Sequence, residues 1–224
     1  MISFFLPIRK NSLRIKNKNI VSLKKYKFGL TEIKINHLKK IRKILKKNKI
    51  FSEYIVSTDC DVVKKYLKDF SWIKIHNRPK ELSGDDCLDD LIRIVPAVCS
   101  NKYILWTHVT SPLFNEFDYI NFIFKFFSSK DKYDSAFSAT ALSTFILNKS
   151  GKWISHNSKL KKWPRTQDLD PLYCVNNAAF INLRSNYIKF NDRLSKKILP
   201  IKTRKGADLD IDSHEDLDYL KSLI

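Results

Sequence analysis

Two stretches near opposite ends of the 224-residue chain carry side chains suited to phosphate and metal chemistry. Residues 9–19 set Arg9, Lys10, Arg14, Lys16 and Lys18 among Asn11, Ser12, Asn17 and Asn19. Cations and backbone amides in one loop can share the charge of a polyphosphate. The loop lacks the G-x-x-x-x-G-K-[ST] spacing of a Walker loop, and a solvated surface segment would have the same composition. Near the other end, Asp208-Leu-Asp-Ile-Asp212 alternates carboxylate and aliphatic residues. On a strand of period two, Asp208, Asp210 and Asp212 share one face and Leu209 and Ile211 the other. Three like charges repel, and Mg²⁺ held by one or two carboxylates plus substrate phosphates would offset them. A solvent-facing edge strand is the alternative.

The elements that must position these residues read as α/β. Strand-like runs stand at 2–8, 54–57, 72–75, 103–107 and 135–140. Between them lie helical patterns at 31–47, 61–68, 85–98 and 114–127, the last with Phe117, Ile120, Phe124 and Phe127 on one face. Strand–helix alternation predicts a mostly parallel sheet flanked by helices, with ligands beyond the carboxyl ends of its strands. From 142 to 169 the chain is polar and Lys-rich, with Trp153 and Trp163, and reads as an excursion from a single domain spanning 1–224. Strands are expected again at 178–181, 197–201 and 209–211. Ser213 and Asp216 form a capping box for a closing helix to Leu223.

Each strand end offers further candidates. Ser57-Thr-Asp59 ends the second, with Asp59 either a helix cap or a ligand for a metal or hydroxyl. Arg78 follows the third, and Ser83 with Asp86 fits a capping box that would place helix amides beside the anion site. His108-Val-Thr-Ser-Pro-Leu113 follows the fourth, where Thr110 and Ser111 either contact a ligand or start the next helix.

Composition narrows the classes. With 42 Lys+Arg against 23 Asp+Glu, the formal charge is +19. Only 9 of those 42 cations are Arg, and Gly is only 4. Abundant Lys, Asn, Ile and Phe share AT-rich codons, so codon bias accounts for much of the charge. The Lys/Asn density at 34–49 reads as one solvated helix face. No helix-turn-helix, RNP or zinc spacing accompanies it, which argues against a nucleic-acid partner. A hydrophobic content of 43% excludes a disordered chain. Phe114–Phe127 is short and charged, so no membrane span is expected. The start, 1–8, reads as a strand and not a signal peptide. Cys60, Cys87, Cys99 and Cys174 lack CxxC spacing, so reduced thiols and a cytoplasmic location are expected.

Taken in order, the motifs resemble the cytidylyltransferases that activate acidic sugars, most closely the CMP-N-acylneuraminate (CMP-sialic acid) synthetases. Arg9, Ser12, Lys18 and Asn19 match the A-R-x-x-S-K-x-x-x-x-K-N loop of that family. Val56-Ser-Thr-Asp59 matches V-S-T-D, and Arg78-Pro-x-Glu-Leu82 with Asp85 matches R-P-x-E-L-x-x-D. Thr110-Ser-Pro-Leu113 ends its L-Q-P-T-S-P-L, and Pro164-Arg165-x-Gln167 with Asn176 matches its sugar side. Asp210-Ile-Asp212 with Glu215 and Asp218 resembles D-I-D-T-x-x-D. Leu13, Gly84, His108 and Cys174 stand where the pattern has Lys, Ser, Gln and Arg, and Asn177 where it has Gly.

The resemblance implies a Rossmann-like nucleotidyltransferase that uses CTP and Mg²⁺ to make a CMP-sugar and pyrophosphate. It implies that Arg9, Lys18 and Asp210 are catalytic. Arg9, Ser12, Arg14, Lys18, Asn19, Arg78, Gly84, Asp85 and His108 would bind the nucleotide. Asp210 and Asp212 would hold the metal, and Arg165, Gln167 and Asn176 would face an acidic nine-carbon sugar, with Arg165 on its carboxylate. It further implies a homodimer completed by the 142–169 excursion. A 3-deoxy-manno-octulosonate cytidylyltransferase, or a weakly active or non-catalytic nucleotide-binding homologue, is the alternative.

Overall fold

The computed structural model describes residues 1–224 except Asn11, Leu13 and Asp85. Among the described residues a seven-stranded sheet has the order β3-β2-β1-β4-β6-β5-β7. The strands are β1 (Ile2–Ile8), β2 (Ser52–Thr58), β3 (Ile73–Asn77), β4 (Tyr103–Thr107), β5 (Ser135–Leu142), β6 (Leu172–Leu183) and β7 (Ile198–Lys202). Pairing is parallel except that β6 runs antiparallel to β4 and β5. The helices are α1 (Gly29–Lys47), α2 (Asp61–Leu67), α3 (Leu88–Val98), α4 (Glu116–Ser128), α5 (Arg184–Phe190) and α6 (His214–Leu223). This is the α/β architecture expected from the alternation of periods.

Alternation along β1 builds two cores. Ile2, Phe4, Leu6 and Ile8 pack on one face of the sheet, against α1, α4 and α6. Phe5 points the other way, into a core with Leu91, Ile92 and Val95 of α3 and Tyr187 of α5. A central strand buried on both faces reads as a continuous apolar run, which is what the segment is.

The chain steps outward from β1 to β2 and β3, then returns to β4 on the opposite side of β1. The β1–β4 ladder stops at Phe5↔Trp106, whereas β1 stays paired with β2 to Ile8↔Thr58. The sheet therefore opens a crevice between the carboxyl ends of β1 and β4, at the point where such folds bind ligands. Pro7 falls where the β4 ladder has ended, so its missing N–H is tolerated in an otherwise central strand.

Four expectations change. The 209–211 segment is not a strand. Ile211 is buried, but it donates one backbone bond to the Thr110 carbonyl (2.8 Å), so the segment ties to the β4–α4 loop and joins no ladder. The three carboxylates consequently diverge, and Asp208 accepts from Thr140 Oγ1 (2.9 Å) instead of joining the other two. Ser83 and Asp86 do not cap α3, whose first turn begins at Leu88 with Cys87 at the cap position and no side-chain cap bond. Ser83 instead follows a short 3₁₀ turn at Lys80–Leu82.

On α4 the buried stripe is Tyr119, Phe122, Ile123 and Phe126, while Phe117 and Phe124 are 70% and 51% exposed. Both stripes have helical spacing. An Asn115–Asp118 capping box sets the helix start, and the Tyr119 hydroxyl, bonded to Thr107 Oγ1 and the Ala178 carbonyl, selects the face. Finally, the 34–49 helix is not solvated throughout, because Lys34 is fully buried. The Ser213–Asp216 capping box on α6 forms as expected.

The 142–169 excursion extends from the β5–β6 hairpin, whose ladder runs out to Leu142↔Leu172. Phe145, Trp153, His156 and Trp163 form its own aromatic cluster, with ring centroids 5.0–5.8 Å apart. Among the described residues no helix is long and apolar enough to cross a membrane.

The connection from β1 to α1 depends on Gly29, whose φ is +53° and whose added Cβ would lie 2.1 Å from the Val21 carbonyl oxygen. Gly29→Ala is expected to destabilise the protein by at least about 2 kcal/mol, since neither conformation nor space admits the methyl. Urea unfolding should show a lowered midpoint at unchanged slope.

Candidate active site

The crevice deepens into a cavity of about 420 Å³. It is lined by Arg9, Ser12, Arg14, Lys18 and Asn19 from the β1–α1 loop, Arg78 and Gly84 after β3, His108 and Thr110 after β4, and Asp210 and Asp212. Five cationic side chains, counting Arg193, face two carboxylates, so the cavity suits a polyanion.

The basic loop is held at several points. Asp59 Oδ1 accepts from the Lys10 amide (2.8 Å), so this carboxylate anchors the loop instead of capping α2. Asn19 is buried and donates through Nδ2 to the Arg9 carbonyl (3.0 Å). Its own carbonyl accepts from the Thr31 amide (2.9 Å) and hydroxyl (2.7 Å), coupling the loop to the first turn of α1. Asn17 adopts φ +55°, which asparagine tolerates.

The two chain ends meet here. Lys18 Nζ donates to the Ile211 carbonyl (2.6 Å) and to Asp212 Oδ1 (3.2 Å), and Arg14 pairs with Asp212 Oδ2 at 3.0 Å. Lys18 is only 12% exposed, so this pair is less screened than a surface bridge. Asp210 Oδ2 accepts from Asn177 Nδ2 (3.2 Å), while its Oδ1 is buried with no hydrogen-bond partner. Burial raises the Asp210 pKa, opposed by the neighbouring Thr110 and Asn177 side chains and then helped by the Asp212 charge.

An orphaned, desolvated carboxylate oxygen beside a second carboxylate is a hard-oxygen donor set that fits Mg²⁺. No group of three or more His, Cys, Asp or Glu gathers for a metal among the described residues. Phosphate and water would therefore have to supply the remaining ligands.

Arg78 is buried and donates to the Ser57 carbonyl (2.6 Å) and hydroxyl (3.2 Å). Burial lowers its pKa to about 10, still well above neutrality. His108 accepts at Nε2 from Trp106 Nε1 (2.8 Å), which places its own proton on Nδ1. Burial, with Arg193 and Lys34 nearby, pushes its pKa down to about 3, so the ring is neutral.

Behind the site Lys34 Nζ donates to the Ser111 carbonyl (2.9 Å) and the Tyr119 hydroxyl (2.7 Å). Burial lowers its pKa to about 7, countered by the charges of Asp118 and Asp210.

The sugar-side candidates lie elsewhere. Arg165 is exposed and paired through two nitrogens with Asp168, at 3.0 Å each, and Gln167 sits exposed in the same excursion. Asn176 is buried and donates to Thr203 (3.1 Å) and Thr140 (3.4 Å). Its neighbour Asn177, at φ +59°, is the one that reaches the cavity. Asp85 falls outside the described residues, as does Leu13. Trp106, Leu88, Leu91, Cys87 and Arg193 also line the cavity without having been marked by any motif.

The chain matches no protein-family model and no curated protein. Solved structures do share its fold. The 2-C-methyl-D-erythritol 4-phosphate cytidylyltransferase of Francisella tularensis superposes with a TM-score of 0.66 at 12% identity, covering 100% of this chain and 99% of that one. The 4-diphosphocytidyl-2C-methyl-D-erythritol synthase of Anaerococcus prevotii gives 0.64 at 12% identity, covering 99% and 97%. A CMP:2-keto-3-deoxy-manno-octonic acid synthetase complexed with CTP gives 0.62 at 14% identity, with coverage of 99% and 97%. The fold is that of the Rossmann-like nucleotidyltransferases. At these identities the likeness is one of fold.

The buried ammonium makes a pH prediction. The folded pKa of Lys34, about 7, lies below its ordinary 10.5, so between these values the unfolded chain binds the extra proton. Stability then rises with pH across that window, by up to about 1.4 kcal/mol per unit. Chemical denaturation at pH 7, 8 and 9 should show this rise in the wild type and a flatter profile in Lys34→Met.

Proposed function

We propose that this protein transfers CMP from CTP to the anomeric hydroxyl of an acidic sugar, a sialic acid or related nonulosonic acid, releasing pyrophosphate. One observation carries the reading. Lys18 bridges the basic β1–α1 loop to Asp212, so phosphate-binding cations and an oxygen donor pair face one crevice at the sheet's switch point. The ordered motifs supply the sugar class, and the fold is one that a CTP-complexed sugar-acid synthetase also has.

The sugar hydroxyl attacks the α-phosphorus in line while the bond to pyrophosphate breaks. Such a transfer needs positioning and charge stabilisation more than covalent participation by the protein. Arg9, Arg14 and Lys18 neutralise the triphosphate, with Lys18 held in place by the Ile211 carbonyl. Asn19 keeps the loop closed on the nucleotide through Arg9. Asp210 and Asp212 would hold Mg²⁺, which when bound withdraws charge from the α-phosphate and acidifies the attacking hydroxyl. Arg78 and His108 line the nucleotide's path with a fixed cation and a neutral donor ring.

We further propose that the aromatic excursion pairs with a second copy. It exposes Leu147, Ile154, Leu160 and Trp163, which are 49–86% accessible in the single chain.

Pyrophosphate release should require CTP and not ATP, GTP or UTP, and should respond to N-acylneuraminates before 3-deoxy-manno-octulosonate. Preference for the eight-carbon acid would move the substrate to that class, and no release with any acidic sugar would overturn the reading. Asp210→Asn and Asp212→Asn should each lower turnover about 10²–10³-fold while leaving the circular dichroism spectrum intact. Full activity in both would place the metal elsewhere.

A further inference from the structure

The cavity has a second cationic point, remote in sequence from the triphosphate loop. Arg193 follows α5 and reaches the β4 side of the cavity. Its guanidinium lies 4.1 Å from the Phe180 ring centroid and 5.2 Å from that of Trp106. Its one polar contact among the described residues is a long bond to His108 Nε2, at 3.4 Å. The adjacent Asp192 acts on it only through its charge and forms no ion pair with it; that carboxylate accepts the Leu194 amide (3.1 Å). Elsewhere in the cavity Arg14 and Lys18 meet the Asp212 carboxylate, and Arg78 meets the Ser57 carbonyl. Arg193 instead faces two aromatic rings and the uncharged imidazole of His108.

A largely desolvated guanidinium without a paired anion is costly to fold, and the cost is recovered when a ligand supplies one. Packing over Phe180 restrains the guanidinium, whose fork can present parallel N–H groups to a planar acceptor. At this point a single guanidinium stands against the apolar rings of Phe180 and Trp106, which suits one planar carboxylate. We infer that Arg193 is the carboxylate anchor of the sugar acid, with His108 and Trp106 holding it in register. This rests on the cytidylyltransferase reading and deepens it, and it moves the carboxylate contact from Arg165, which is occupied by Asp168 outside the cavity.

The test compares a sugar acid with its C1 amide, which keeps size and loses the charge. Wild-type protein should prefer the acid, and Arg193→Met should raise the KM for the acid about 30-fold, the loss of one charge-assisted pair. The KM for CTP should not change, and the variant should no longer distinguish acid from amide. Arg193→Lys, which keeps the charge without the fork, should recover part of the preference. Four results would overturn the assignment: preference retained in Arg193→Met, a rise confined to the KM for CTP, preference lost in Arg165→Met instead, or a phosphorylated polyol taking the place of the acid. Calorimetric titration of acid and amide, with and without CTP, separates this from the parent reading. Acid binding that depends on Arg193 in a protein that fails to turn over CTP would sink the proposed reaction and leave the subsite standing. Equal binding of acid and amide to wild-type protein would sink the subsite whether or not CTP is turned over.

Discussion

The buried ammonium of Lys34 is the constraint around which the ligand end of the sheet is organised. One side chain from α1 donates to the Ser111 carbonyl in the β4–α4 loop and to the Tyr119 hydroxyl of α4. Tyr119 in turn bonds Thr107 at the end of β4 and the Ala178 carbonyl on β6. Five segments thus meet at a single charged group with no solvent exposure. Removing a cation from water is unfavourable; the two oxygens that accept from Nζ and the charges of Asp118 and Asp210 offset part of that cost. The same contacts fix which stripe of α4 faces inward and where the loop carrying Thr110 runs, and Thr110 is the residue whose carbonyl receives the Ile211 amide. The position of Asp210 therefore depends on a lysine far from it in sequence.

This changes the meaning of the +19 charge. On α1, Lys39, Lys43, Lys46 and Lys47 lie exposed, as a compositional excess would have them, whereas Lys34 is part of the core. In the cavity the informative cations are Arg9, Arg14, Lys18, Arg78 and Arg193. Four of these five are arginines, in a chain whose cations are mostly lysine. A guanidinium offers a planar fork for carboxylate and phosphate oxygens that an ammonium lacks.

Periodicity made the sheet legible. β1 alternates Phe4 and Leu6 against Phe5, and loops carrying Arg9, Arg78 and His108 fall at successive carboxyl ends, so the fold and one wall of the site follow from local pattern. What was not legible is what depends on tertiary choice. Two apolar stripes on α4 share the same spacing, and the one that buries is the one whose Tyr119 hydroxyl joins the Thr107, Ala178 and Lys34 network. Asp208, Asp210 and Asp212 alternate as a strand would, but a backbone bond from Ile211 to Thr110 turns the segment off the sheet. Asn177 carried a readable signal: the family pattern has glycine there, and glycine and asparagine are the residues that best accept left-handed backbone. Arg193 carried none, since its role arises from rings on β4 and β6 that are distant in sequence.

At the His108 position, where the resembled motif has glutamine, an imidazole meets the same hydrogen-bond demand. Trp106 presents an indole N–H that needs an acceptor at 2.8 Å, and Arg193 leans on the same atom. A glutamine amide would answer with its carbonyl and keep an N–H₂ for a ligand. A histidine can do the same only if it stays neutral, with Nε2 accepting and Nδ1 carrying the proton. Burial among cations ensures that, holding the ring uncharged down to about pH 3. An imidazolium here would lose the acceptor and add another positive charge beside Arg193. The desolvation that makes this wall apolar is thus the condition under which histidine stands in for an amide, and under which the guanidinium beside it is left for an anion from outside the chain.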